Sequence, residues 1–266
     1  MSGGGNDFIV FDNRNGKLVG AIGRLPLSDF VKEICRRRIS IGADGVLLLE
    51  RDKELDFAMR YFNADGGEVE MCGNGGRCIA LFAHQKKITR EEMRFRSMND
   101  IHSARVDNNR VKLQMAKPKE IKLEFPLSVM KKELTVNFIN TGVPHIVLFS
   151  EYVEKMNIVE LGREIRSHPR FQPHGTNVNF VQVINKKEIR VRTYERGVED
   201  ETFACGTGCT AGTLVSHLTR GMTSPVICHT QGGEDLLIHY RIKEGFPTDI
   251  FLEGDVKIVF EGTLSL

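Results

Sequence analysis

Cys72-Gly73-Asn74-Gly75-Gly76-Arg77-Cys78 and Cys205-Gly206-Thr207-Gly208-Cys209 are two versions of one motif, set 133 positions apart in a chain of 266 residues. Their surroundings repeat at nearly the same offset. Ile41-Gly42-Ala43-Asp44-Gly45-Val46 is answered by His174-Gly175-Thr176-Asn177-Val178-Asn179, and Met59-Arg60-Tyr61-Phe62 by Val191-Arg192-Thr193-Tyr194. The pattern reads as a duplicated domain in which each copy carries one thiol on a Gly-rich turn. Small and apolar residues follow each motif (Ile79 to Ala83; Thr210 to Val215), as expected of a helix buried within its domain.

Working outward, helical periodicity covers Leu27–Arg38 with Ser28 as N-cap, Cys78–Lys86, Cys209–Leu218 and, more weakly, Met156–Arg163. Most other patterned segments read as strands: Phe8–Asp12, Gly45–Glu50, Phe57–Phe62, Arg94–Arg96, Arg110–Met115, Asn137–Asn140, Ile146–Phe149, Val178–Val183, Glu188–Tyr194, Glu234–Tyr240, Thr248–Glu253 and Val256–Glu261. The charged, Pro-containing stretch Ala116–Lys122 marks the boundary between copies. The fold class is α/β, more strictly α+β. Two pseudo-symmetric domains are expected, each a curved, mostly antiparallel β-sheet around a central helix, with the active site in the cleft between them. One spans residues 1–117, open to completion by a returning strand over 255–266, and the other spans 118–254.

Composition narrows the function. A net charge of +2, from 37 basic and 35 acidic residues, offers no global field for nucleic acid. Arg36-Arg37-Arg38 has no accompanying aromatic ladder and reads as a solvated helix end. No apolar run reaches the roughly 18 residues of a membrane span, and no signal peptide opens the chain. Six cysteines without secretory features suit a reducing compartment, so a cytoplasmic protein with free thiols is expected.

A cysteine at a helix start faces unpaired N–H groups and the positive end of the dipole. An interaction of up to about 2 kcal/mol would bring a thiol of about 8.5 to about 7. One thiolate and one thiol is the state that a two-base inversion at carbon requires. The glycines let the backbone approach a carboxylate and aim N–H groups at it. Three readings stand open from these residues alone: acid–base thiols, a metal site, or structural and redox thiols. Five and three intervening residues depart from the common spacing of structural zinc sites, which favours the first. Cys78 and Cys209 read as helix-packing residues.

The chain resembles the diaminopimelate epimerase family. The resemblance rests on Gly5-Asn6-Asp7-Phe8, Ile41 to Gly45, Phe62-Asn63-Ala64-Asp65-Gly66, Met71 to Cys78, Pro144-His145, Glu195-Arg196-Gly197 and Ala204 to Gly208, in order over nearly the whole chain. It implies a cofactor-independent, pyridoxal-free isomerase with no metal, converting LL- to meso-diaminopimelate for lysine and peptidoglycan precursors. Cys72 and Cys205 would be the acid–base pair, the first acting on the L centre and the second on the D centre. Backbone N–H groups of Gly73, Asn74, Gly206 and Thr207 would hold the reacting carboxylate, and Glu195 and Asn6 the adjacent amino group. Asn63, Asn177 and Arg196 would grip the distal end, with His145 near the cysteines as an auxiliary residue. The implied partner is a small-molecule amino acid, with no nucleic acid and no membrane, and a homodimer is an option.

Departures from the family pattern carry expectations too. Met1-Ser2-Gly3-Gly4 leads directly into Gly5-Asn6 where relatives usually have a strand. Val143 and Gly45 stand where many or some relatives place Asn and Gln. The segment Glu199-Asp200-Glu201 is expected to bulge outward as a loop. A racemase of proline, glutamate or histidine on the same fold is the competing reading; Asn74, where proline racemase relatives commonly have His, and the Glu195-Arg196 pair argue against it. A zinc or thiol-switch protein is the competitor from another class.

Overall fold

The structure, a computed structural model, describes residues 1–264, with the backbone alone at Val19. The chain divides into two compact units, Met1–Leu113 with the segment from Gly254 onward, and Gln114–Glu253.

The first unit contains β1 (Ser2–Gly3), β2 (Asn6–Asp12), α1 (Lys17–Ile22), α2 (Leu27–Cys35), β3 (Gly45–Glu50), β4 (Phe57–Asn63), β5 (Glu68–Val69), α3 (Gly73–Gln85), β6 (Glu92–Ser97), β7 (Asp100–Asp107) and β8 (Arg110–Gln114). Strand β2 runs parallel to β3, β3 antiparallel to β4, and β4 parallel to β6. The hairpins β6–β7 and β7–β8 follow. Two residues of β1 pair with Asn6 and Asp7, so Ser2 and Gly3 form a short edge strand where none was expected. Helix α3 is buried from Gly73 to Ala83. Four apolar residues of α2, Phe30, Val31, Ile34 and Cys35, pack with Val46, Leu48 and Phe62.

The second unit contains β9 (Lys119–Val129), β10 (Lys132–Asn140), β11 (Pro144–Phe149), α4 (Ile158–Arg166), β12 (Asn177–Asn185), β13 (Glu188–Glu195), β14 (Asp200–Thr202), α5 (Gly206–Arg220), β15 (Val226–Thr230), β16 (Asp235–Lys243) and β17 (Phe246–Asp255). Its wiring repeats the first. Strand β11 runs parallel to β12, β12 antiparallel to β13, and β13 parallel to β15, followed by the hairpins β15–β16 and β16–β17. Short β14 pairs with β13 as β5 pairs with β4. Helix α5 is buried along most of its length, as the run of small and apolar side chains requires.

Several expectations need correction. Helix α2 starts at Leu27 with Pro26 as N-cap, because the N–H groups of Asp29 and Phe30 both reach the Pro26 carbonyl, closing the first turn before Ser28. Helices α3 and α5 begin one turn earlier than the apolar pattern, directly after Cys72 and Cys205. Val256–Glu261 is not a strand. It makes the single bridge of Lys257 to Ser2, since the edge available to it there is only two residues long. Part of the stretch read as a boundary belongs to β9, and Asp200–Thr202 pairs with β13 instead of bulging outward. Arg37 is held by Asp7 and Asp44 and is no merely solvated residue.

Candidate functional site

In each unit the candidate residues fall at corresponding places of the duplicated sheet. Asn63 pairs across β3–β4 with Gly45, and β12–β13 continues in the same register so that Val178 faces Tyr194 and Asn177 and Glu195 lie at the strand ends. His145 is the parallel partner of Asn177, as Phe8 is of Gly45. A cysteine then caps the central helix: Cys72 before α3 and Cys205 before α5.

In the first unit Cys72 is half-buried, and its Sγ accepts the Gly75 N–H at 3.2 Å. Asn74, 5% exposed, is held by a relay of bonds. Its Nδ2 donates to the Gly4 carbonyl at 3.1 Å and to Asn6 Oδ1 at 2.8 Å, and its Oδ1 accepts from Arg77 at 3.0 Å. Asn6 in turn donates to Asp44 at 2.9 Å. Gly4 has φ of +65°, and a Cβ there would lie 2.3 Å from Asn74 Oδ1, so the turn requires glycine. Arg77 is fully buried and also donates to the Gly73 carbonyl at 3.2 Å. Thr210 answers it in the second unit, donating to the Gly206 carbonyl at 2.9 Å. Asn63 closes the turn after β4: its N–H donates to the Gly67 carbonyl and its carbonyl accepts from Gly66.

In the second unit Cys205 is buried, with its sulfur 3.4 Å from the Thr207 hydroxyl. A thiol lowered by the helix start is expected from the sequence, and the surroundings of Cys205 reverse it. Burial pushes the Cys205 thiol up to about 12, the Glu195 charge adds to the rise, and the nearby Thr207 hydroxyl and the amides of Thr207 and Gly208 offset only part of it. Desolvation of a thiolate outweighs the dipole. Burial also raises the Glu195 carboxyl, offset only in part by the nearby Thr202 hydroxyl. Asn177 accepts the Arg196 N–H at 2.8 Å and donates to the Pro144 carbonyl at 3.4 Å. Arg196 donates to the His174 carbonyl at 2.8 Å and borders a 440 Å³ pocket with Asn140, Pro144, Arg170 and Gly175. His145 is wholly buried, with Nδ1 3.0 Å from Asn179.

The structure thus gathers Asn6, Cys72, Gly73 and Asn74 at one helix start. It gathers Asn177, Glu195 and Arg196 at one strand end, and Cys205, Gly206 and Thr207 at the other helix start. Sequence reasoning passed over Asp44, Arg77, Asn179 and Thr193 as site residues. All four lie inside the quoted motifs, but their residue types alone do not distinguish them from surface polar residues. Among the described residues no cluster of His, Cys, Asp and Glu suited to a metal ion is present, and no helix is long and apolar enough to cross a membrane.

Comparison with solved structures defines the fold. A hydroxyproline epimerase from Agrobacterium vitis superposes with a TM-score of 0.65 at 15% identity, over 96% of this chain and 86% of that one. A phenazine biosynthesis protein of the PhzF family from Enterococcus faecalis gives 0.66 at 14%, over 97% and 92%. The molecule therefore has the two-domain α+β fold that these proteins share. Sequence carries the assignment further. The family profile described as diaminopimelate epimerase matches residues 1–121 and 137–259. Proteins named diaminopimelate epimerase are 45% identical in Aquifex aeolicus, over 100% of this chain and 96% of that relative, and 38% identical in Chlorobaculum tepidum, over the full length of both. The chain belongs to the diaminopimelate epimerase family, and it is an isomerase.

Proposed function

We propose that this protein epimerises LL-diaminopimelate to meso-diaminopimelate without a cofactor, with Cys72 and Cys205 as its acid–base pair. The observation that carries the reading is full-length similarity to enzymes of that name, together with a cysteine capping the central helix of each repeated unit. One sulfur takes the α-proton from one face of the carbon while the other returns a proton to the opposite face. Burial holds Cys205 protonated, which suits it to the giving half of the first turnover. Backbone N–H groups of Gly73, Asn74, Gly206 and Thr207 bind the reacting carboxylate and steady the charge that develops on it. Asn6 and Glu195 receive the amino group, for which Asn6 Oδ1 retains a second lone pair. Asn63, Asn177 and Arg196 grip the distal end, where the Arg196 guanidinium suits a carboxylate. The two domains act as a duplicated pair of epimerase halves. Six free thiols fit the reducing cytoplasm, and we assign the protein there, as a homodimer, the commonest closed assembly.

The test is substrate choice under reducing conditions. Purified enzyme is offered LL-diaminopimelate, proline, hydroxyproline, glutamate and histidine, and the stereoisomers are resolved by chiral chromatography. Interconversion of diaminopimelate alone supports the reading. Turnover of another amino acid with none of diaminopimelate overturns it.

A further inference from the structure

A buried hydrogen-bond network sits beneath the first turn of α5. Asn179 and Thr193 face each other across β12–β13, and both are buried. Thr193 Oγ1 donates to Asn179 Oδ1 at 3.0 Å. Asn179 Nδ2 donates to the Ile146 carbonyl at 2.9 Å and lies 3.0 Å from His145 Nδ1. The Ile146 carbonyl can only accept, so it fixes which end of the amide carries the hydrogens. Turning the amide over would set Oδ1 against that carbonyl oxygen. With Nδ2 so fixed, His145 Nδ1 must accept, and the imidazole proton belongs on Nε2. That second nitrogen is buried and has no hydrogen-bond partner among the described residues.

The network is tied to Cys205 by packing. A Cβ at Gly208 would lie 2.3 Å from Asn179 Oδ1, 3.0 Å from Thr193 Oγ1 and 3.3 Å from Cys205 Cβ. It is not a requirement of the fold. The first unit places Phe8, Leu47 and Tyr61 at the corresponding register positions, with the two aromatic rings in edge contact at 5.7 Å. A trio of two aromatic rings and a leucine thus serves there, and an Asn–Thr–His trio beside the second thiol calls for a role.

We infer that Asn179, supported by Thr193, is a positioning residue that locks His145 as the Nε2–H tautomer, so that His145 enters the reaction as a hydrogen-bond donor and never as a base. This deepens the proposed epimerase reading and rests on it. At Nδ1 the lone pair is already engaged by Asn179, and at Nε2 the site for a proton is filled. Proton traffic at carbon is thereby left to the two thiols, while Nε2–H is free for an acceptor atom of the bound amino acid. Burial, with a smaller contribution from the Arg196 charge, lowers His145 to about 3 against the raising bond from Asn179, which agrees with a neutral ring.

The test reads the tautomer without turnover. Enzyme labelled with ¹⁵N-histidine is studied by long-range proton–nitrogen correlation at neutral pH, and the His145 signals are identified by their loss in His145→Gln. A protonated Nε2 with a bare Nδ1 is expected. In Asn179→Asp the new carboxylate accepts from Nδ1–H, so the proton moves to Nδ1 and kcat falls about 10²–10³-fold, the cost of one lost transition-state donor, with KM changed far less. A bare Nε2 or an imidazolium in the wild-type enzyme overturns the inference, as does an Asn179→Asp variant that keeps both tautomer and rate. The wild-type spectrum decides even where that variant fails to fold. Failure of diaminopimelate turnover would strike the function while leaving the tautomer standing.

Discussion

Replacing Gly208 by alanine should damage the second unit far more than Gly75→Ala damages the first, although both glycines stand at the same place three residues after a capping cysteine. Neither is forced by its backbone, so only space matters. At Gly208 the added methyl meets Asn179 Oδ1 at 2.3 Å, and that amide is pinned by Thr193, the Ile146 carbonyl and His145. Overpacking costs about 1–3 kcal/mol, and breaking the amide's buried bonds costs about 1–3 kcal/mol more. The helix propensity gained from glycine to alanine returns up to about 1 kcal/mol. The net loss is about 1–6 kcal/mol. At Gly75 the methyl meets Cys72 Sγ at 3.2 Å, Leu47 at 3.4 Å and Met59 at 3.5 Å, all side-chain atoms at or just inside ordinary contact distance. Stability there should stay within about 1 kcal/mol of wild type, while displacement of the Cys72 sulfur lowers activity. Urea unfolding followed by circular dichroism, beside turnover assays, separates the two effects. Equal destabilisation by the two substitutions, or a Gly208→Ala protein as stable as wild type, would refute the packing argument.

Three further outcomes follow from the same structure. Cys205, with its thiol pushed up to about 12, should be alkylated by iodoacetamide much more slowly than Cys72 at pH 8; Glu195→Gln should move the Cys205 alkylation profile to lower pH, as peptide mass spectrometry would register. His145, at about 3 in the folded protein against an ordinary 6.5, takes a proton more readily when unfolded. Its contribution to stability is therefore complete above about pH 6.5 and lost as pH falls toward 3, a change of about 4–5 kcal/mol, so His145→Gln should flatten the stability profile across that window. Arg192 grips Glu201 by two bonds of 2.6 Å, both side chains being largely buried. Arg192→Met should cost about 3 kcal/mol by stranding the carboxylate, and Arg192→Met with Glu201→Met should recover part of it in thermal melts.

The repeat was legible because its signals are local. Glycines beside cysteines announce a helix start, and the small apolar runs after them announce burial; α3 and α5 carry both. Apolar strands buried on both faces were legible for the same reason, β3 above all, where every residue from Gly45 to Leu49 is buried. What escaped was structure made by pairing alone. In β7 the pattern Asp-Ile-His-Ser-Ala-Arg-Val-Asp buries only Ala104 and Val106, and β9 opens with charged, largely exposed residues, its alternation interrupted by positive φ at Glu120 and Glu124. Short α1 follows Gly16 with no side-chain cap to signal it. At the site, the residue types were readable and their environments were not. A helix-start cysteine suggests a lowered thiol, whereas its burial and a neighbouring carboxylate reverse the direction at Cys205. Asn179 and Thr193 look like ordinary strand polar residues until the register sets them opposite each other.

The proposed division of work between two sulfurs at one carbon is tested most directly by epimerisation of LL-diaminopimelate in deuterated water by wild type, Cys72→Ala and Cys205→Ala. Wild type is expected to place deuterium on the α-carbon that inverts, and each single variant, folded by circular dichroism, to lose inversion. Inversion without deuterium uptake, or inversion that survives loss of either cysteine, would contradict it.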